Sequence, residues 1–175
     1  MLVGLPVLGP LANASAWPQA RFVNALGGPE SFIRRPETVR RAAVEDECFE
    51  TLVHPAATVS SRARLGRGIL VYPHATIGPH VHVGNHVQLL ANVVVNHDAH
   101  LGDWTIIASG AALSGRVRLG SCCYVGTGAV IKEGVVVGDG ALIGMGAVVI
   151  SDVAASSTVI GNPARAKSPA PRGHY

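Results

Sequence analysis

The sequence is poor in aromatic and charged residues, which make up only 5% and 14% of its 175 residues. The low charge and a hydrophobic content of 48% exclude a largely disordered chain. Because aromatic side chains are few, the core must be built from aliphatic residues, and the 21 glycines favour short strands joined by tight turns. The length suits one main domain with a short appendage.

Cysteine is also scarce, with Cys48, Cys122 and Cys123 in a spacing that does not match a metal site. An odd number of cysteines, two of them adjacent, does not indicate structural disulfides, so we expect a reducing, cytoplasmic environment. The apolar N-terminus has no basic residue before its apolar run and contains prolines, which argues against a secretory signal. No run reaches the ~20 apolar residues of a membrane span, and we expect no membrane partner.

The net charge of +3 is modest, and the basic residues are scattered. They lack the density and the interleaved aromatic residues of a nucleic-acid-binding surface. We therefore expect no nucleic-acid partner, whereas a small molecule that carries phosphate would suit the arginine groups.

A hexad period runs through most of the chain. Every sixth residue from Val53 to Val149 is aliphatic, and the residue four places further on is nearly always small or β-branched. Neither a helix nor a flat hairpin sheet has this period. The period of six arises when each hexad forms one short strand and one turn. Three hexads then form the three faces of each coil. The sequence therefore predicts an all-β fold, a parallel β-helix of about five to six coils, whose strands stack about 4.8 Å apart.

The segment 1–50 lacks this period. There, "LPVLGPL" and "RFVNAL" predict two short strands, and "PETVRRAAVE" predicts a helix with Pro36 near its start. We predict a short α/β segment at residues 1–50, the β-helix at 51–155, and at 156–175 a tail that frays.

The stretch "VVVNHDAHLGD" fills one turn of the repeat with polar residues. His97 is predicted to point outward at a corner, and residues three hexads apart stack, so Gly115 should lie directly above it. A base below and a bare backbone N–H above a gap free of side chains would suit acyl transfer. Asp98 should stack between His80 and Arg116, which would also fit a solvated charge ladder worth under ~1 kcal/mol per pair.

A second ladder is formed by Thr127 and Met145, which are one coil apart but lie at a different corner from His97. Two corners of one prism cannot line one groove. In a threefold assembly, however, one corner of each chain can face a different corner of its neighbour. We therefore predict three sites at subunit boundaries.

The stretches "VNHDAHLGD", "GAALSGRVRLGSCCYVGTGAVI", "VGDGALIGMGAVVISDV" and "VIGNPAR" together resemble the hexapeptide-repeat acyltransferases. The nearest resemblance is to the sialic acid O-acetyltransferase family and to bacterial N-acetyltransferases of nucleotide-linked amino sugars, and it covers residues 20 to about 167. It implies a left-handed β-helix, a homotrimer, acetyl-CoA as co-substrate without a metal, and a sugar or sugar-like acceptor. It also implies that the segment 1–50 corresponds to the later half of a Rossmann-like domain, without that domain's Gly-rich loop.

The resemblance also implies roles for individual residues. His97 matches the general base and Asp98 the acid that raises its basicity. Gly115, Thr127 and Met145 match positions that contact the cofactor. Two departures concern the acceptor and the acetyl group: Asn92 is the only polar residue of "LLANVVV", where we expect it to contact the acceptor, and Ile106 stands where the family often has a second histidine.

Two other functions compete with acetyl transfer. A γ-class carbonic anhydrase uses the same prism with zinc, but its H-x₄-H ligand spacing does not occur among the histidines of the repeat. A non-catalytic scaffold is favoured by Ile106 and opposed by the His97–Asp98 pair. The sequence leaves the choice between O- and N-acetylation open.

Overall fold

The computed structural model describes residues 6–167, and in it the chain winds into a three-sided parallel β-helix. The fold class predicted from the hexad period, a β-helix of hexapeptide coils, is confirmed. Each coil contributes one very short strand to each of three sheets. Successive strands of a sheet come from successive coils without any shift, as in the register from Leu89 through Ile107 to Val125.

The three sheets form the sides of the prism. Sheet 1 contains β1 Leu52–Val53, β4 Leu70–Val71, β7 Gln88–Leu89, β10 Ile106–Ile107, β13 Tyr124–Val125, β16 Leu142–Ile143, β18 Thr158–Ile160 and β19 Arg165–Ala166. Sheet 2 contains β2 Thr58–Val59, β5 Thr76–Ile77, β8 Val94–Val95, β11 Ala112–Leu113, β14 Val130–Ile131 and β17 Val148–Val149. Sheet 3 contains β3 Arg64–Leu65, β6 His82–Val83, β9 His100–Leu101, β12 Arg118–Leu119 and β15 Val136–Val137.

The interior of the prism is aliphatic. The second residue of each central strand points inward, and Leu89, Ile107 and Ile131 are fully buried. The small residue four places later, such as Ala111 or Ala129, is buried as well. Burial of each large aliphatic side chain stabilises the fold by about 1.5–3 kcal/mol, so the repeated core, rather than any single strand, holds the coils together.

Two-residue turns join the sheets at three corners of the prism. Corner 1 follows the strands of sheet 1 and includes residues 91–92, 127–128 and 145–146. Corner 2 follows sheet 2 and includes 97–98 and 115–116, and corner 3 follows sheet 3 and includes 85–86, 103–104 and 121–122. The second residue of most of these turns has a positive φ, a conformation that Gly, Asn and Asp adopt most easily.

The described part of the N-terminal segment packs on sheet 1. It contains 3₁₀ turns at Leu11–Ala16, Phe32–Arg34 and Asp46–Cys48 and one short helix, α1 Arg35–Arg40. The predicted helix is present, but it begins one residue earlier and ends before the predicted end at residue 45.

The two predicted N-terminal strands do not form. Residues 6–10 have no regular structure, Leu11 begins a 3₁₀ turn, and residue 5 lies outside the described range. In 21–26 only Phe22 forms a β-bridge, to Phe49. The reason is that the carbonyl groups of Asn24 and Leu26 accept hydrogen bonds from the side chain of Gln88 rather than from a neighbouring strand.

Arg35 fastens this segment to the prism. Its buried guanidinium donates to the carbonyl oxygens of Leu26, Trp104 and His86 at 2.7, 2.6 and 3.0 Å. Burial lowers the pKa of Arg35 to about 10. The N-terminal segment therefore covers the central strands of sheet 1, whereas its described residues leave the outer faces of sheets 2 and 3 uncovered.

At the C-terminal end, β18 continues sheet 1 as far as Ile160, within the range predicted as a tail. β19 then turns back and pairs antiparallel, with Ala166 opposite Val159. The end of the predicted fraying tail, 168–175, lies outside the described residues.

Candidate active site

His97 lies at corner 2, directly after strand β8, with its side chain about half exposed. Its Nδ1 is 2.8 Å from Asp98 Oδ2. Because a carboxylate can only accept, this hydrogen bond keeps the proton on Nδ1 and leaves the lone pair on Nε2. In the neutral form of the ring, Nε2 is therefore the nitrogen that is left to accept a proton.

Asp98 is held in place by both its backbone and its neighbours. Its φ is +59°, and its N–H donates to the carbonyl of Pro79 at 3.1 Å. The hydrogen bond from His97 holds the pKa of Asp98 below its ordinary value, and the charges of His80 and Arg116 act in the same direction. The predicted stacking of Asp98 between these two residues therefore produces an electrostatic effect on the carboxylate.

Gly115 lies one coil above His97, as the repeat predicts. A Cβ at this position would be 2.5 Å from Cε1 and 2.6 Å from Nε2 of His97. The gap that we predicted between the two residues is therefore filled by the imidazole ring itself, which only glycine permits. Among the described residues, the Gly115 N–H has no backbone acceptor, whereas its carbonyl accepts from Gly134 at 3.0 Å.

Thr127 and Met145 lie at corner 1 and are exposed, Met145 with 81% of its surface accessible. Asn92 lies at the same corner, also exposed, with a φ of +60°. The structure thus divides the predicted site residues of one chain between two corners: His97, Asp98 and Gly115 lie at corner 2, and Asn92, Thr127 and Met145 at corner 1.

Glu133 was not singled out from the sequence, although it lies one coil beyond Gly115 and so continues the same column. Its carboxylate forms an ion pair with Arg116 at 2.6 Å. Arg116 in turn donates its backbone N–H to the carbonyl of His97 at 2.9 Å. The stacking rule that placed Gly115 over His97 was the signal that could have placed Glu133 one coil beyond Gly115 in the same column.

Comparisons with known proteins indicate a transferase. The family model described as "bacterial transferase hexapeptide (six repeats)" matches residues 80–115, which include His97 and Asp98. Comparison with curated protein sequences finds no match.

Solved structures match nearly the whole chain. The acetyltransferase domain of PglB from Neisseria gonorrhoeae, in complex with acetyl coenzyme A, is 30% identical over 95% of this chain and 81% of that chain, with a TM-score of 0.83. PerB from Caulobacter crescentus, in complex with CoA and GDP-perosamine, is 29% identical over 95% and 80%, with a TM-score of 0.86. WeeI from Acinetobacter baumannii is 27% identical over 95% and 80%, with a TM-score of 0.79.

The chain belongs to the hexapeptide-repeat acetyltransferases. It is an acyltransferase with a left-handed parallel β-helix, as the resemblance implied, and the non-catalytic scaffold is not supported.

In this acetyltransferase, Ile106 is covered rather than available to a ligand. It lies on sheet 1 with 2% of its surface exposed, and a Cβ on Gly27 of the N-terminal segment would be 2.8 Å from its Cδ1. The position where the resemblance implied a histidine therefore belongs to the contact between the N-terminal segment and the prism.

Within residues 6–167, no three His, Cys, Asp or Glu side chains of the acetyltransferase lie together as metal ligands would. Over the same range, none of its helices has the length and apolar character that a membrane crossing requires.

Proposed function

We propose that this acetyltransferase moves the acetyl group of acetyl-CoA to an amine or hydroxyl of a sugar or sugar-like acceptor, with His97 as the general base. The observation that carries the proposal is the 2.8 Å contact between His97 Nδ1 and Asp98 Oδ2, on a corner where Gly115 has no side chain. The acetyl coenzyme A bound by the PglB domain and the CoA bound by PerB support the co-substrate.

The same relatives support a sugar as the acceptor. PerB is solved with GDP-perosamine, and a variant of the Caulobacter crescentus protein is described as a perosamine N-acetyltransferase, 28% identical to this chain with a TM-score of 0.87. These names support a sugar amine as the acceptor, while the base itself would serve a hydroxyl equally well.

The proposed mechanism is direct transfer. When bound, acetyl-CoA supplies the thioester carbonyl that the acceptor attacks. Nε2 of His97 takes the proton from the attacking amine or hydroxyl, and Asp98 stabilises the imidazolium that results. The Gly115 N–H is available to donate a hydrogen bond to the acetyl oxygen. The C–S bond breaks, and the proton on His97 can pass to the departing thiolate.

The two-corner arrangement supports a homotrimer. Sheet 2 runs from corner 1 to corner 2, and its outward strand residues are small and uncharged: Thr76, Val94, Ala112, Val130 and Val148. Sheet 1 is covered by the N-terminal segment, so sheet 2 is the apolar side that remains. Packing three copies through sheet 2 would bring corner 2 of each chain to corner 1 of its neighbour. Thr127, Met145 and Asn92 would then complete the site of His97.

Mixing two inactive variants tests both proposals together. His97→Ala removes the base, and Met145→Arg places a charge on the proposed cofactor corner. Each homotrimer should be inactive in an assay of thiol release from acetyl-CoA with amino-sugar acceptors. If the site joins two chains, trimers reassembled from equal amounts should recover roughly a quarter of wild-type activity. Each of the two corners of a site then comes from a chain in which it is intact in about half of the cases.

The control is the double variant His97→Ala/Met145→Arg mixed with wild type, and light scattering must show trimers throughout. A site within one chain predicts no recovery in the first mixture, and an active monomer would contradict the trimer outright. Lack of thiol release by the wild type with any acceptor, together with no acetyl-CoA binding by calorimetry, would contradict the acetyl-transfer proposal.

A further inference from the structure

The outer face of sheet 3 carries a column of basic side chains. Arg64, His82, His100 and Arg118 occupy matched positions of four neighbouring strands. The rings of His82 and His100 stack with centroids 4.7 Å apart and an interplanar angle of 10°. At a strand spacing of about 4.8 Å, the column is about 14 Å long. We call these four residues the basic column.

A shallow groove runs beside the basic column. It has a volume of about 400 Å³ and is lined by Arg64, His82 and His100 and by the backbones of Gly66, Gly84 and Gly102. Among the described residues, no acidic side chain lines it. The groove gives a ligand access to Arg64, His82 and His100, whereas Arg118 is not part of its lining.

The two arginines of the column have no ion-pair partner in the described part of the chain. Within residues 6–167, neither Arg64 nor Arg118 has a carboxylate within ion-pair distance. The aspartates of the neighbouring corner 3 accept hydrogen bonds from the backbone instead.

At that corner, Asp103 Oδ1 accepts from the N–H of Asn85 at 2.7 Å. Asp139 Oδ1 accepts from the N–H of Ser121 at the same distance. Both carboxylates are thereby turned toward the backbone of the coil below.

Corner 2, on the other side of sheet 3, shows how this fold balances charge elsewhere. There Asp98 lies between His80 and Arg116, and Arg116 pairs with Glu133. The basic column lacks such an acid, because its two arginines, one at each end, have no carboxylate partner among the described residues. A bound anion would supply the missing negative charge.

We propose that the basic column binds a small molecule through a chain of two or three phosphates. Guanidinium groups match phosphate oxygens with paired donors, and the column offers one at each end of the imidazole stack. His82 Nδ1 is 3.1 Å from the carbonyl of His80, which orients this ring in the stack. The site differs from the His97 corner and does not depend on the proposed acetyl transfer.

Calorimetric titration with inorganic tripolyphosphate tests the proposal. The wild type should bind, and Arg64→Gln/Arg118→Gln should bind about tenfold or more weakly, since each lost charge-assisted hydrogen bond is worth that much. The matched control is Arg34→Gln/Arg40→Gln, which removes the same charge from exposed arginines of the N-terminal segment and should bind within about twofold of wild type.

Two further readouts locate the site and its source of phosphate. The imidazole C–H resonances of His82 and His100, assigned with single His→Gln variants, should shift on titration, and those of His54 should not. Repeating the titration with saturating CoA separates two supporting outcomes: competition assigns the column to the phosphates of the co-substrate, and independent binding assigns it to another phosphorylated ligand. Equal losses in both double variants, unmoved His82 and His100 resonances, or no binding by the wild type would overturn the proposal.

Discussion

The imidazole of His97 rests on the backbone of Gly115, which occupies the equivalent place in the next coil. A Cβ at Gly115 would be 2.6 Å from Nε2, closer than non-bonded atoms allow. The position of the base therefore depends on a missing side chain one coil above it, and the following predictions begin with that contact.

A methyl group at Gly115 should displace the base. We expect Gly115→Ala to lower kcat about 10- to 100-fold, because a misplacement of the base by about 1 Å is enough to cost that much. Steady-state kinetics would measure it. Gly28→Ala is the matched control, since a Cβ there meets nothing within 4 Å. In a His97→Ala background the Gly115→Ala change should have no further effect on kcat or Tm, and additive losses would argue against the contact.

Removal of the base should abolish most of the catalysis while leaving cofactor binding and assembly intact. We expect His97→Ala to lower kcat by about 10²–10⁴-fold, the contribution of a general base. Acetyl-CoA affinity and the oligomeric state should stay unchanged in calorimetry and light scattering. A loss of affinity without a loss of kcat would assign His97 to binding rather than to proton transfer.

Neutralising Asp98 should weaken the base without removing it. Asp98→Asn exchanges a charge-assisted hydrogen bond for a neutral one, and we expect kcat to fall about 10- to 100-fold. Because the pKa of Asp98 lies below its ordinary value, the carboxylate is fully ionised at pH 8, and the loss should be measured there. Glu30→Gln, an exposed change of the same kind, should leave kcat unaltered, and an Asp98→Asn protein with wild-type kcat at pH 8 would contradict the assignment.

The contact between the N-terminal segment and the prism should weaken in acid. His86 is 1% exposed, stacks on Trp104 at 4.0 Å, and has Phe49 at its edge. Burial lowers its pKa, with nearby Arg35 acting in the same direction and Asp46 and Asp103 opposing. The unfolded chain therefore takes up a proton as pH falls through about 6.5 while the folded chain resists it, so stability falls with pH below that value.

Urea unfolding at pH 7.5 and pH 5 would measure this loss. His86→Asn, which suits the positive φ of this residue and does not titrate, should show a smaller difference between the two pH values. An equal pH dependence in both proteins would show that His86 does not carry the effect.

The two residues of one strand should contribute unequally to stability, because one lies in the core and the other at the surface. Val137 is 1% exposed and its neighbour Val136 is 44% exposed. We expect Val137→Ala to lower the free energy of unfolding by about 2–3 kcal/mol, and Val136→Ala to change it by at most about 0.5 kcal/mol. Equal losses in urea unfolding would mean that the outer face of sheet 3 is also covered, for instance by another subunit.

The β-helix and the column that contains the site could be predicted because the repeat has no insertion. Each coil adds the same three hexads, so sequence spacing translates directly into height, and Gly115 could be placed over His97 by counting. The same rule separated Thr127 and Met145 from the His97 corner. The N-terminal strands were predicted wrongly, because that segment has no repeat and its backbone groups are bound by the side chains of Gln88 and Arg35.

The sequence by itself determined the period, the inward aliphatic columns and the corner at which His97 and Asp98 lie, because in a coil of constant length these follow from residue number. Only the tertiary structure decided where the side chains point within that frame. It closed the expected gap with the imidazole ring on Gly115, covered Ile106 with the N-terminal segment, and left the arginines of the basic column without a carboxylate partner among residues 6–167. These outcomes depend on which surfaces meet and which polar groups are already satisfied, and residue spacing carries no information about either.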